Sequence, residues 1–149
     1  MARFQQGYYK IKHKEKYLGD PAKVRYMSSW ELSFFNFLDN NPNVIQWSSE
    51  EIPINYIKPT DGKVHKYFPD VFMCYKNKRG EIKWELIEIK PKQQTRAPKR
   101  TSKHRLYEQL TYAVNVAKWK AAQQWCINQT QLTGKTITFK IITEQQLFA

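Results

Sequence analysis

The stretch "YFPDVFMCYKNKRGEIKWELIEIKPK", residues 67–92, decides how this chain is read. Two runs rich in aromatic and β-branched residues, "YFPDVFMCY" and "IKWELIEIK", flank Lys78-Arg79-Gly80-Glu81, the composition of a hairpin. Charged groups stand where a buried sheet is apolar. Along "WELIEIK" side chains alternate, so Trp84, Leu86, Glu88 and Lys90 share one face while Glu85, Ile87 and Ile89 share the other. Pairing runs backwards from the turn, which brings Asp70 opposite residues 88–90. Asp70, Glu88 and Lys90 are therefore expected to converge at one end of the sheet.

Two carboxylates and a lysine at a shared strand end suit metal-assisted phosphodiester hydrolysis. Hard oxygen ligands hold Mg²⁺ or Mn²⁺, the cation polarises the phosphate and lowers the pKa of a bound water, and an ammonium orients that water or steadies developing charge. The simpler explanation is a solvated Glu–Lys strand end, with Asp70 as a turn residue after Pro69. Convergence of all three in a basic chain that also carries Glu31 favours the chemical explanation.

The chain has 149 residues, 41% of them hydrophobic and 15% aromatic, which fits one packed domain. Against 13 acids stand 25 Lys and Arg, a formal charge of +12, so a polyanionic partner is expected and nucleic acid is the first candidate. No run approaches the roughly 18 apolar residues of a membrane span, and no apolar signal core follows the basic N-terminus. The expectation is a soluble intracellular protein without a membrane partner. Cys74 and Cys126 lie in no CxxC, and His13, His65 and His104 are scattered. The cysteines read as reduced packing residues, and any metal should be held by oxygen.

Residues 1–27 read as a basic aromatic arm laid over the core, because Phe4, Tyr8, Tyr9, Tyr17 and Tyr26 are many rings for a free tail. Residues 28–149 read as a single domain. In "SSWELSFFNFLDNN", Trp30, Phe34, Phe37 and Leu38 mark one helical face; Ser28 caps it, Glu31 completes a capping box, and Asn40, Asn41 and Pro42 end it. Strands follow in "NVIQWSS" and in "EEIPINYIKP", where Ile52, Ile54 and Tyr56 alternate, and Asp61-Gly62 marks a turn before residue 67.

After Pro91, "KQQTRAPKRTSKHR" holds no acid and no large apolar residue. It is expected to be a solvated or ligand-covered loop: either a DNA clamp with Lys92, Arg96, Lys99, Arg100, Lys103 and Arg105 as phosphate contacts, or a solubilising surface loop. A long helix then runs from a Thr101/Ser102 cap to Gly134, carrying Leu106, Leu110, Ala113, Val114, Ala117, Ala121 and Trp125 at three- and four-residue steps. "TITFKIITEQQL" supplies a last strand. A long helix between strands of one sheet makes a right-handed crossover, so this strand should lie parallel to an earlier one. The expected fold is α/β, a mixed β-sheet flanked by helices in the order α-β-β-β-α-β.

Pro69-Asp70, a gap of 17 residues and then Glu88-Ile89-Lys90 resemble the PD-(D/E)xK motif of the restriction-endonuclease-like superfamily, with a helical glutamate such as Glu31 upstream. With "WSSEEIPINY", "DGKVHKYFPD", "ELIEIKPK", the "YEQLTYAVNVAKWKAAQQWC" helix and "FKIITEQQL" in this order, nearly the whole chain resembles the head-completion nucleases of large contractile-tailed phages. It resembles TnsA-type transposon endonucleases more distantly.

The resemblance implies that Asp70 and Glu88 are metal ligands, joined by the backbone carbonyl of Ile89, and that Lys90 orients water or stabilises charge. It makes Glu31 a further metal or water contact, although the capping box alone would also account for Glu31. Some members place a Gln and a Tyr of the long helix at the site; Gln109 and Tyr112 depart from the Gln-x-x-x-Tyr spacing, and helix-surface polarity accounts for Gln109 as well.

The implied function is a DNA endonuclease using Mg²⁺ or Mn²⁺, in phage head completion or DNA end processing. The implied location is the cytoplasm of the infected bacterial host or the virion, with head or portal proteins as partners. The alternative is a non-catalytic basic DNA-binding structural protein of the phage head on the same fold. Ribosomal-type RNA binding would explain the charge but not the converging acids.

Overall fold

Pro69 splits the expected strand "YFPDVFMCY" in two, because proline has no N–H to give to a sheet ladder. In a computed structural model that describes residues 6–99 and 105–147, one strand ends at Tyr67 and the next begins at Val71. The elements are β1 (Gly7–Tyr8), β2 (Arg25–Tyr26), α1 (Ser29–Asn40), β3 (Val44–Ser49), β4 (Ile54–Ile57) and β5 (Val64–Tyr67). They continue with β6 (Val71–Lys76), β7 (Ile82–Ile89), α2 (Arg105–Thr133), β8 (Ile137–Ile142) and α3 (Glu144–Leu147).

The central sheet has the order β3-β6-β7-β8, with β3, β6 and β7 antiparallel in turn and β8 parallel to β7. The mixed sheet and the crossover through α2 agree with the expected architecture. The strands from 54 to 67 do not join this sheet: β4 and β5 pair with each other as a separate ribbon, Ile54 opposite Tyr67. Residues 144–147 turn helical where a continuing strand was expected, and the reason is local. Thr143 Oγ1 accepts from the Gln145 N–H at 3.2 Å while Gln146 Oε1 accepts from the Thr143 N–H at 2.8 Å, a reciprocal cap that starts α3.

The two faces of the sheet bury different layers. On one, Val71, Met73 and Ile87 pack with Trp47, with Phe34, Phe35 and Leu38 of α1, and with Tyr9, Ile11, Tyr17 and Val24 from the N-terminal 27 residues. Trp47 is fully buried at the centre, its ring 4.9 Å from Tyr17 and 5.4 Å from Phe35. On the other face, Leu86 and Ile137 pack with Ala122 and Cys126 of α2 and with Ile54, Tyr56 and Tyr67 of the ribbon. The register of α1 differs in one respect from expectation: Phe35 enters the core, while Phe37 is 49% exposed and stacks on Phe34. At the start of α2, Leu106 and Leu110 are exposed, so the buried stripe begins later than the spacing suggested. The Thr101/Ser102 cap and Phe4 lie outside the described residues.

Residues before α1 are anchored by one acid. Asp39, fully buried, accepts from the Tyr9 hydroxyl at 2.8 Å and from the N–H groups of Lys12 and His13 at 2.8 and 3.0 Å. Burial opposes its ionisation, but these donors outweigh it and hold the carboxyl below its usual range. Lys16 Nζ closes the same C-terminal end of α1, donating to the carbonyls of Leu38, Asp39 and Asn41, where a cation also meets the negative end of the helix dipole. Among the described residues, no helix is long and apolar enough to cross a membrane.

Candidate active site

The turn between β6 and β7 sets the register of the site. Asn77 Oδ1 accepts from the N–H groups of Arg79 and Glu81, and Gly80 takes φ 80°, a left-handed conformation that glycine adopts without a Cβ clash. Pairing then places Val71 opposite Ile87, so Asp70 arrives level with Glu88. Asp70 Oδ2 accepts the Ile89 N–H at 2.7 Å. Lys90 Nζ lies 3.7 Å from Glu88 Oε2, and the Lys90 N–H bonds the Ile142 carbonyl of β8 at 3.0 Å. Asp70, Glu88, Ile89 and Lys90 thus meet at one end of the sheet, where their spacing had put them.

The surroundings work against two negative charges at this end. Burial first, and the charge of Glu88 second, push the Asp70 carboxyl well above its usual range. Burial also raises Glu88, which is 6% exposed, although Lys90 and the Tyr67 hydroxyl pull in the other direction. Tyr67 donates to Glu88 Oε1 at 2.7 Å from the last position of β5. Its own ionisation is pushed far upward, by burial and then by the Glu88 charge, so the hydroxyl stays a donor.

Glu31 holds the start of α1. Ser28 Oγ accepts the Glu31 N–H at 3.2 Å, and Glu31 Oε1 accepts from Met27 N–H at 2.8 Å, one residue before the position a capping box uses. The carboxyl is raised by burial, and it also feels the charges of Glu50, Glu88 and Lys90. It therefore belongs to the electrostatic surroundings of the site while holding the helix start.

Two residues escaped the sequence reading. Tyr67 did so because nothing local says that the end of β5 reaches the face of β7. Glu50 sits at φ 52°, with its N–H on the Asp70 carbonyl at 3.2 Å, and burial and Glu88 raise its carboxyl. A glutamate in the left-handed region has no sequence signature.

The predicted DNA contacts Lys92, Arg96, Lys99 and Arg105 are exposed; Arg100 and Lys103 lie outside the described residues. The Lys92 N–H is tied to the Glu144 carboxylate at 3.0 Å. A cleft of about 410 Å³ lined by Trp30, Pro91, Lys92, Gln93, Arg96 and Glu144 adjoins the site, since Trp30 precedes Glu31 and Pro91 follows Lys90. Gln109 is exposed on α2, and Tyr112 packs its ring edge-on to Trp119 at 6.5 Å. Among the described residues, neither makes a hydrogen bond or ion pair with Asp70 or Glu88.

The donor set fits a hard divalent cation: the two carboxylates offer only oxygen, they are buried together and raise each other's cost of ionisation, and one ammonium, Lys90, is ion-paired with Glu88. Among the described residues no group of three or more His, Cys, Asp or Glu could by itself hold a metal ion. An ion here would rely on the carboxylate pair, the backbone, water and substrate oxygens, the coordination Mg²⁺ commonly takes beside phosphates.

Residues 41–144 match the family described as TnsA-like endonuclease N terminal, a span that covers β3 to the first residue of α3 and includes Asp70, Glu88 and Lys90. The head completion nuclease of Enterobacteria phage T4 is 39% identical over 145 residues, covering 93% of this chain and 90% of that protein. No solved structure is significantly similar. A central mixed four-stranded sheet with flanking helices, carrying a Pro-Asp and a Glu-x-Lys at paired strand ends, agrees with both matches, and the chain belongs to the TnsA-like endonuclease N-terminal family of PD-(D/E)xK-type proteins.

Proposed function

We propose that the chain is a divalent-metal-dependent DNA endonuclease acting in phage head completion or in the processing of DNA ends. The observation that supports this reading best is the pairing of Asp70 with Glu88 across β6 and β7, both carboxyls raised, with Lys90 at 3.7 Å from Glu88. Such a pair is unfavourable for the fold alone and useful to a site that takes up a cation.

Asp70 and Glu88, with the Ile89 carbonyl, would hold Mg²⁺ or Mn²⁺, which when bound supplies a water of lowered pKa and positive charge for the phosphate oxygens. Lys90 orients the attacking water or steadies charge developing on the phosphate. Glu31 adds a further carboxylate from the start of α1. The basic loop, through Lys92, Arg96, Lys99, Arg100, Lys103 and Arg105, grips the DNA backbone and leaves sequence unread. The likeness to a phage head completion nuclease supports work in the infected bacterial cell or the virion, alongside head or portal proteins.

Purified protein incubated with supercoiled plasmid and with branched DNA, in Mg²⁺, in Mn²⁺ and in EDTA, tests the reading. Cleavage that needs the cation and is lost in Asp70→Ala and Glu88→Ala is expected. DNA binding without cleavage under every condition would make the chain a structural DNA-binding protein instead.

A further inference from the structure

The buried face of α2 is apolar at Trp119, Ala122 and Cys126, but it carries a charge at Lys118. Lys118 is half-buried, and its ammonium lies 5.5 Å from the centre of the Tyr67 ring and 5.8 Å from that of Tyr56. Tyr67 is the residue whose hydroxyl is bonded to Glu88. The ammonium is therefore held over the aromatic pair that borders the carboxylates. It attracts Glu88 and Asp70 and is repelled by Lys90 and Lys58, and burial, the largest influence, lowers its pKa. No ion pair of Lys118 with a carboxylate is formed among the described residues.

A lysine serving only to pack would send its ammonium to water and bury its stem. Here desolvation and two like-charged neighbours both disfavour the cation, and two aromatic faces offset part of that cost. Lys90 from the sheet end and Lys58 from the ribbon side each repel the Lys118 ammonium, which Glu88 and Asp70 attract. An anion entering between the lysines would relieve their repulsion, and in a DNA-cleaving site that anion is a backbone phosphate.

We infer that Lys118 is a second active-site lysine, which contacts a backbone phosphate oxygen of the DNA from the α2 side while Lys90 acts from β7. The inference rests on the nuclease reading for its catalytic part and for naming the anion a backbone phosphate, and on the position of the ammonium over the Tyr67 and Tyr56 rings for its place beside the carboxylates. Lys118 lies outside the basic loop, farther along α2, and belongs to no catalytic motif. Its role is to neutralise charge on the phosphate in a partly water-excluded place, where removing one such donor commonly costs about 10²–10³-fold in rate.

Lys118→Met preserves the stem and its packing on Tyr56 and Tyr67, and Lys118→Arg preserves the charge. Single-turnover plasmid cleavage at saturating protein should fall by at least about tenfold in Lys118→Met and recover in part in Lys118→Arg. Independently of cleavage, the affinity of a short DNA duplex is measured across a salt series in Ca²⁺, with Asp70→Asn as the comparison. The log–log slope should flatten by roughly 0.9 in Lys118→Met and stay unchanged in Lys118→Arg. Wild-type rate and slope in Lys118→Met, with Asp70→Asn inactive, would overturn the inference and leave the nuclease reading standing. A flattened slope in a protein that cleaves nothing would keep the phosphate contact and overturn the catalytic part together with the nuclease reading.

Discussion

The Tyr67 hydroxyl donates to Glu88 Oε1 at 2.7 Å, linking the end of the β4–β5 ribbon to a buried carboxylate of the central sheet. This bond fixes which way Glu88 faces and leaves Oε2 toward Lys90. Partners of this kind around metal-binding carboxylates typically carry about 10–100-fold in metal affinity or activity. Tyr67→Phe should lose cleavage by that order and need more Mg²⁺ to reach its maximum, while circular dichroism stays unchanged. Wild-type metal dependence in the variant would show that the ribbon only covers the site.

Asp70 and Glu88 make the metal-free protein sensitive to pH in a direction opposite to most acids. Both carboxyls are raised in the folded state, so between the ordinary carboxylate value and the folded one the native protein binds more protons than the unfolded chain. Stability from this pair falls as pH rises through that window. Asp70→Asn removes the repulsion and keeps an oxygen for the Ile89 N–H, so its metal-free melting temperature near neutral pH should exceed that of wild type. Saturating Mn²⁺ should reverse the order, since a ligand at about 100 times its Kd adds roughly 2.7 kcal/mol to the protein that binds it. Calorimetry with EDTA and with Mn²⁺ checks both halves.

Glu31→Gln separates the cap from the chemistry. The amide oxygen can still accept from the Met27 N–H, so the stability should change by no more than about 1 kcal/mol, the usual size of a cap. Cleavage should drop by an order of magnitude or more if the charge serves the metal or its water. Unchanged turnover would leave Glu31 as a helix cap alone.

Neutralising Arg96, Lys99 and Arg100 together should weaken DNA binding and flatten its salt dependence by about 0.9 in log–log slope for each phosphate contact removed. The relative affinities of duplexes of different sequence should not change, because phosphate contacts position the duplex without reading it. Fluorescence anisotropy over a salt series measures both. A wild-type slope would move the clamp elsewhere, with the basic residues before α1 as the next place to test.

Register made the centre of this site legible in the sequence. Strand alternation and pairing that runs backwards from a turn are local rules, so the distance from Asp70 to the turn and from the turn to Glu88 already implied their meeting, and Asp70 does bond the Ile89 N–H. The parallel last strand followed from the crossover helix by handedness. Packing between distant segments obeys no such rule. Phe35 and Phe37 exchanged places because the burial of a helix side depends on what lies against it, here Trp47 and Tyr9. The separate β4–β5 ribbon brings Tyr67 to Glu88 across 21 residues, and α2 carries Lys118 to the same tyrosine from farther still. Glu50 is held beside Asp70 by its left-handed backbone, close enough for the Glu88 charge to act on it. Each of these side chains is placed by contacts between elements far apart in the chain, and only the assembled fold determines them.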